Sequence, residues 1–239
     1  MAADARADRG SGRGNRGRVT VRRALLAAFA LVAATDLVSL AVGFGIGHTV
    51  SKPLLMPLLA AYAAARGAPR LLLAALLFGW GGDVLLLFDA EPAFLAGMAS
   101  FAAGHICYLV LFKAYGKARA RCGLLVPAYT TALLTTVVLL WPDLPAGLRV
   151  PVAGYSLLLT AMAYAAGAWL GLVAGLGGAL FLLSDTLIAT GVADWPQPPR
   201  PDLWIMLTYI AAQFLLTVGA LGALEARDER TALKVMVTD

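Results

Sequence analysis

Residues 71–88 have the sequence LLLAALLFGWGGDVLLLF, an apolar segment in which Asp83 is the single charged residue. A segment of this length can cross the hydrocarbon core of a membrane as a helix. Similar segments recur along nearly the whole 239-residue chain, which is 60% hydrophobic and 14% charged. Too few polar residues remain to cover a water-soluble surface. The sequence therefore predicts an all-α, polytopic membrane protein.

About eight transmembrane helices are predicted, separated by short connections in which proline and glycine cluster. Flanking segments are predicted on both sides of a transmembrane domain at 24–224: a disordered, arginine-rich cytosolic arm at 1–23 and a cytosolic tail at 225–239. The predicted spans are 24–47, 52–66, 70–88, 93–115, 122–141, 149–171, 174–191 and 202–224.

The basic residues favour one orientation of these helices. Arg66, Arg70 and Lys117 fall on the same side as the arm, while Asp89 and Asp143 fall on the other. By the positive-inside rule, both termini are expected in the cytoplasm, in a bacterial plasma membrane. The net charge of +5 is concentrated in the arm, which favours contact with lipid headgroups and argues against nucleic acid as a partner.

Two aspartates lie deep in apolar segments and define a faint internal repeat. Asp83 in the third span corresponds to Asp185 in the seventh, and His105 in the fourth corresponds to Gln213 in the eighth. This pattern predicts two four-helix halves in parallel orientation. An intramembrane carboxylate is costly, so it usually faces a polar cavity or a partner. We expect both carboxyls in one shared cavity, one acting as an acid and the other as a base. The alternative is that each only ties helices together.

Other polar residues have open interpretations. Lys52 could extend to the membrane interface, hold a phosphate or pair with an aspartate. His105 is a core hydrogen-bond donor or a proton carrier. Tyr209 and Gln213 lie one turn apart on one helix face, so both could bind a carboxylate. Asp36, in the first span, is a third member of the polar site or ties helices through Thr35 and Ser39, and the tie is favoured. No zinc-binding or serine-hydrolase motif occurs, so neither a metal nor a cofactor is expected.

Short motifs on successive predicted helices occur in the order Lys52-Pro53-Leu54, Gly82-Asp83, Gly104-His105 with Tyr108, Ser184-Asp185, and Tyr209 with Gln213. In this order the chain resembles the YhhN family of membrane proteins, which includes the lysoplasmalogenases. The resemblance covers the membrane domain but not the arm or the tail. It implies hydrolysis of the vinyl ether bond of a lysophospholipid substrate, a lysoplasmalogen, to a fatty aldehyde and glycerophospho-choline or -ethanolamine.

The reaction implied by the resemblance suits these residues. A vinyl ether is cleaved by protonation of its β-carbon, addition of water to the resulting oxocarbenium ion, and collapse of the hemiacetal. Glycosidases stabilise a similar cation with two carboxyl groups. We therefore expect Asp83 and Asp185 to be catalytic and Lys52 to meet the phosphate. The expected supporting residues, which would bind substrate or orient water and carboxyls, are His105, Tyr108, Ser184, Tyr209 and Gln213.

Two other functions are compatible with the same residues. Paired aspartates and a histidine in the membrane also describe a proton relay, which favours a small proton-coupled transporter. A lipid-binding membrane protein without catalytic activity is the third possibility. The oligomeric state is not predicted by any of these patterns.

Overall fold

The computed structural model describes residues 4–117, 123 and 125–238, and these residues form eight α-helices without a β-strand. Their ends lie within a few residues of most of the predicted boundaries. The all-α, polytopic architecture is therefore confirmed. The helices are α1 Asp4–Val42, α2 Gly45–Ala65, α3 Arg70–Leu85, α4 Glu91–Tyr115, α5 Leu125–Leu140, α6 Ala146–Ala165, α7 Leu172–Val192 and α8 Pro201–Thr238.

Five of these helical segments are long and apolar enough to cross a membrane on their own. Helices α3 and α5 have 16 residues each, which corresponds to about 24 Å at 1.5 Å per residue and is shorter than a hydrocarbon core of about 30 Å. The five longer segments are Gly17–Val42, Glu91–Tyr115, Ala146–Leu170, Leu172–Val192 and Pro201–Leu233.

The first helix extends beyond the predicted first span on its N-terminal side, into the predicted arm. Helix α1 begins at Asp4 and continues without a break into the first apolar segment. Once the apolar part has formed a helix, each added residue gains one backbone hydrogen bond without a new nucleation step. The arm also contacts the bundle, because Arg22 Nε donates to the carbonyl oxygen of Ala65 at 2.8 Å.

Neighbouring helices pack closely where glycine faces a backbone. A Cβ atom added to Gly178 of α7 would lie 2.7 Å from Cα of Ala163 in α6, and one added to Gly177 would lie 2.8 Å from the Leu216 nitrogen in α8. Small residues at these contacts let the helix axes approach. Helix α3 packs on α4, and α7 packs on α8. Each aspartate-bearing helix therefore lies beside its successor, although the two-halves arrangement remains an interpretation.

A π-helical turn, Ala166–Leu170, ends α6 and leads into α7. Gly171 follows it with φ of 104°, in a region that residues with a side chain rarely adopt. This turn lies at the end of the bundle where α4 ends and where α7 begins.

Candidate active site

Asp185 of α7 is held by a hydrogen-bonded chain from two other helices. The Tyr155 hydroxyl of α6 donates to Asp185 Oδ2, and His105 Nε2 of α4 lies 3.1 Å from the Tyr155 oxygen. Because the Tyr155 proton is directed at the carboxylate, Nε2 of His105 is the donor in that contact. His105 is 1% exposed, and among the described residues its Nδ1 has no hydrogen-bond partner.

Asp83 of α3 belongs to a second buried cluster. The Tyr209 hydroxyl donates to Asp83 Oδ2 at 2.8 Å, and Gln213 Nε2 donates to the Tyr209 oxygen at 3.3 Å. The Tyr108 hydroxyl donates in turn to Gln213 Oε1 at 2.8 Å. Gly79 makes room for this cluster, since an added Cβ would lie 2.9 Å from Gln213 Nε2. Three helices thus enclose a carboxyl that is 2% exposed.

Two phenylalanines, Phe101 and Phe181, separate these clusters, and we call them the aromatic wall. The Tyr209 ring meets both edge to face, with centroids 5.9 and 5.5 Å apart. On the other side, Phe181 lies 4.8 Å from the His105 ring. Phe101 packs on Gly82, where an added Cβ would lie 2.4 Å from its ring. Phe101 therefore contacts the backbone at the position directly before Asp83.

A narrow cavity that opens outward lies between α4, α5, α6 and α7. Its surface is mostly apolar. Of the residues in the two clusters, Asp185 and Tyr155 line it, and Phe101 of the aromatic wall lines it as well. Its further polar lining consists of Thr136, Ser156, Thr160 and Thr186. Such a surface suits an alkyl chain that carries one reactive polar group.

The two aspartates therefore have different surroundings, whereas the sequence predicts one shared cavity. Asp83 is not among the residues that line the cavity, and its neighbour Gly82 packs against Phe101 from behind. The structure brings Tyr209, Gln213 and Tyr108 together with Asp83, and His105 together with Asp185.

Lys52 and Ser184 lie outside the cavity lining. Lys52 is half-buried on α2, and its charge acts favourably on Asp83 across the α2–α3 contact. Ser184 Oγ donates to the carbonyl oxygen of Ile205 at 3.1 Å, which ties α7 to α8. Their expected roles toward a substrate stay predictions.

Asp36 ties α1 to α2, but with partners that the sequence did not predict. Ser51 Oγ donates to Asp36 Oδ1 at 2.6 Å, and His48 Nδ1 lies 2.9 Å from the same oxygen. The hydroxyls of Thr35 and Ser39 instead donate to carbonyl oxygens of their own helix. Because each of these two hydroxyls directs its proton at a carbonyl oxygen, neither donates to Asp36.

Tyr155 and the aromatic wall were missed by the sequence reasoning. Tyr155 is 30 residues from Asp185, and no local motif links the two. The available signal was a tyrosine in the middle of an apolar span, where a hydroxyl needs a partner. Among the described residues, no group of three or more histidine, cysteine, aspartate or glutamate side chains could hold a metal ion.

The fold and the site together define a polytopic α-helical membrane protein with an acidic residue in an apolar intramembrane cavity. The chain belongs to the YhhN family, whose model matches residues 47–220, and the resemblance seen in the sequence is confirmed. The match begins within α2, so it leaves α1 outside and includes both Asp83 and Asp185.

Similar curated proteins are mammalian. Over 162 residues the chain is 38% identical to lysoplasmalogenase TMEM86B of Homo sapiens, and the alignment covers 65% of each chain. It is 37% identical over 169 residues to lysoplasmalogenase TMEM86B of Sus scrofa, covering 69% of this chain and 70% of the relative. Identity to lysoplasmalogenase TMEM86A of Bos taurus is 31%, with 64% and 65% covered. No solved structure matches the chain.

Proposed function

We propose that this chain is a membrane hydrolase that cleaves the vinyl ether bond of lysoplasmalogens, releasing a fatty aldehyde and a glycerophospho-alcohol. The observation that carries the proposal is Asp185, held by Tyr155 in a mostly apolar cavity. The names of the similar proteins support the substrate class.

Asp185 acts as the acid and then as the base. Its carboxylic acid gives a proton to the β-carbon of the alkenyl chain, which leaves an oxocarbenium ion beside a carboxylate. Water adds to the α-carbon and returns a proton to Asp185. The hemiacetal then transfers its hydroxyl proton to the glycerol oxygen as that C–O bond breaks. One water is consumed, and Asp185 ends protonated as it began.

Tyr155 and His105 set the orientation of that carboxyl. Because Oδ2 of Asp185 accepts the Tyr155 hydrogen bond, Oδ1 is the oxygen left to carry the proton toward the substrate. His105 holds the Tyr155 oxygen from behind, so the hydroxyl cannot rotate freely. Both are positioning residues in this proposal.

Asp83 contributes its charge across the aromatic wall. When Asp83 is ionised, its charge stabilises the oxocarbenium ion across a region that excludes water, where charges interact more strongly than in solvent. Lys52 balances Asp83 before the cation forms. In this arrangement Asp185 meets the substrate and Asp83 acts at a distance.

The substrate enters from the bilayer. Helix α5 packs mainly on α6 and also touches α7. Its residues Ala132, Leu133 and Thr136 form one side of the cavity, and α4 forms the opposite side. An alkenyl chain therefore has an apolar route between α4 and α5. We propose with this that both termini face the cytoplasm of a bacterial plasma membrane, and the basic residues at one end of the bundle favour that orientation.

The test is aldehyde release by purified protein in detergent. We expect turnover of choline or ethanolamine lysoplasmalogen, measured by mass spectrometry, and none of the acyl lysophospholipid with the same headgroup. Asp185→Asn should remove the activity, and Asp83→Asn should lower it while the chain remains folded. A transporter or a lipid-binding protein would release no aldehyde in detergent. Absence of aldehyde from both lysoplasmalogens would contradict the proposal.

A further inference from the structure

A second cavity lies at the other end of the bundle from the proposed active site. It runs between the end of α4, the π-helical turn, the start of α7 and the middle of α8. Val173 lines it, and Val173 precedes Asp185 by about 18 Å along α7 at 1.5 Å per residue. We call this cavity the basic groove and define it by Lys117, Trp169, Val173, Val218, Gly222 and Arg230.

The groove has a fixed wall. The backbone N–H of Lys117 donates to the carbonyl oxygen of Trp169 at 3.0 Å, which fastens the end of α4 to the π-helical turn. Gly116 permits this approach, because an added Cβ would lie 2.6 Å from Cβ of Trp169. At Gly222, by contrast, an added Cβ meets nothing within 4 Å. Among the described residues, the groove is therefore open along α8 and closed on the side of the turn.

One end of the groove is positively charged and the rest is apolar. Lys117 and Arg230 are exposed side chains at the charged end. Arg227 lies next to them, where it donates to the carbonyl oxygen of Ala114 at 2.8 Å and covers the Tyr115 ring at 5.2 Å. Two acidic residues follow Arg227 on α8: Asp228 lines a separate cavity, and Glu229 is exposed outside the groove lining.

We propose that the basic groove binds one anionic phospholipid. Its phosphate lies between Lys117 and Arg230, and one acyl chain follows the apolar floor past Gly222. An outward-facing apolar groove on a membrane helix bundle meets acyl chains, and lysine and arginine near the membrane surface attract anionic headgroups. Trp169 lies at the charged end, which is where an interfacial tryptophan is expected.

The test measures lipid binding to the full-length protein, purified in detergent and depleted of lipid. Native mass spectrometry compares phosphatidylglycerol with phosphatidylcholine of the same acyl chains, and glycerophosphoglycerol serves as the headgroup without chains. We expect the first phosphatidylglycerol molecule that binds to have an affinity about tenfold higher than that of phosphatidylcholine. Lys117→Ala and Arg230→Ala should each weaken it about fivefold. Lys113→Ala, an exposed residue of the same helix end outside the groove, should have no effect.

A substitution in the apolar floor tests the acyl chain. The Cβ of Gly222→Leu meets nothing within 4 Å, and the rest of the side chain extends along the groove, so binding of phosphatidylglycerol should weaken about tenfold while the protein folds normally. Gly154→Leu is the matched control, because Gly154 is also exposed and its added Cβ meets nothing. Equal affinity for the two lipids, equal behaviour of the two leucine variants, or binding of glycerophosphoglycerol as tight as that of the lipid would each overturn the proposal.

Discussion

The Tyr155 hydroxyl donates a hydrogen bond to Oδ2 of Asp185 at the edge of an apolar cavity, and this contact joins α6 to α7. The other carboxyl oxygen of Asp185, Oδ1, receives no hydrogen bond from Tyr155. His105 extends the same chain into α4. The position of one carboxyl oxygen is thus set by three helices, and the chemistry proposed above depends on that arrangement.

Replacing Asp185 by Asn should remove the acid without changing the size of the side chain. We expect aldehyde release to fall by about 10²–10⁴-fold, the usual range for loss of a general acid or base. The measurement is the initial rate with lysoplasmalogen in detergent. Asp143→Asn is the matched control, since Asp143 is exposed and accepts a hydrogen bond from Trp195 outside the cavity. An Asp185→Asn variant as active as wild type would exclude Asp185 as the acid.

Tyr155→Phe removes only the hydroxyl that connects Asp185 with His105. We expect kcat to fall by about 10²-fold with KM little changed, because a misplaced reacting group costs rate rather than binding. Tyr164→Phe on the same helix is the control, since the Tyr164 ring packs on Tyr129 away from the cavity. If both tyrosine variants lose activity equally, the effect belongs to α6 packing and not to the Asp185 contact.

Ala132→Phe should narrow the cavity from the side of α5. Ala132 lines the cavity, so a phenyl ring there competes with the alkenyl chain. We expect KM to rise, most strongly for long-chain substrates, while the protein keeps its thermal stability. Ala128→Phe, one turn earlier on the same exposed helix, provides the comparison. An unchanged KM for substrates of every chain length would show that the chain does not occupy this cavity.

Gly82→Ala should disturb the aromatic wall. An added Cβ would lie 2.4 Å from the Phe101 ring, so the ring or α3 must shift. We expect a loss of about 1–3 kcal/mol of stability, the usual cost of overpacking, measured by unfolding in detergent. Gly154→Ala should be neutral or slightly stabilising, because its Cβ meets nothing and alanine favours a helix. Equal stability of the two variants would mean that Phe101 can move at little cost.

The sequence predicted the membrane helices because hydrophobicity is a local property. A window of about 20 residues contains nearly all the information needed to place a span. The same reasoning singled out Asp83 and Asp185, since a carboxyl in an apolar segment is costly wherever its helix packs. It also predicted a tie at Asp36, but it assigned the partners within α1, where hydroxyls bond to their own helix.

The sequence by itself therefore determined the polytopic helical fold and the two aspartates as exceptional residues. Only the tertiary structure decided that Asp185 lines a cavity while Asp83 lies with Tyr209 behind Phe101. It also decided that Tyr155 is the partner of Asp185. The reason is that such contacts depend on how each helix is rotated about its axis. Small apolar residues let helices approach at many rotations, so the rotation is set by the packing of the whole bundle.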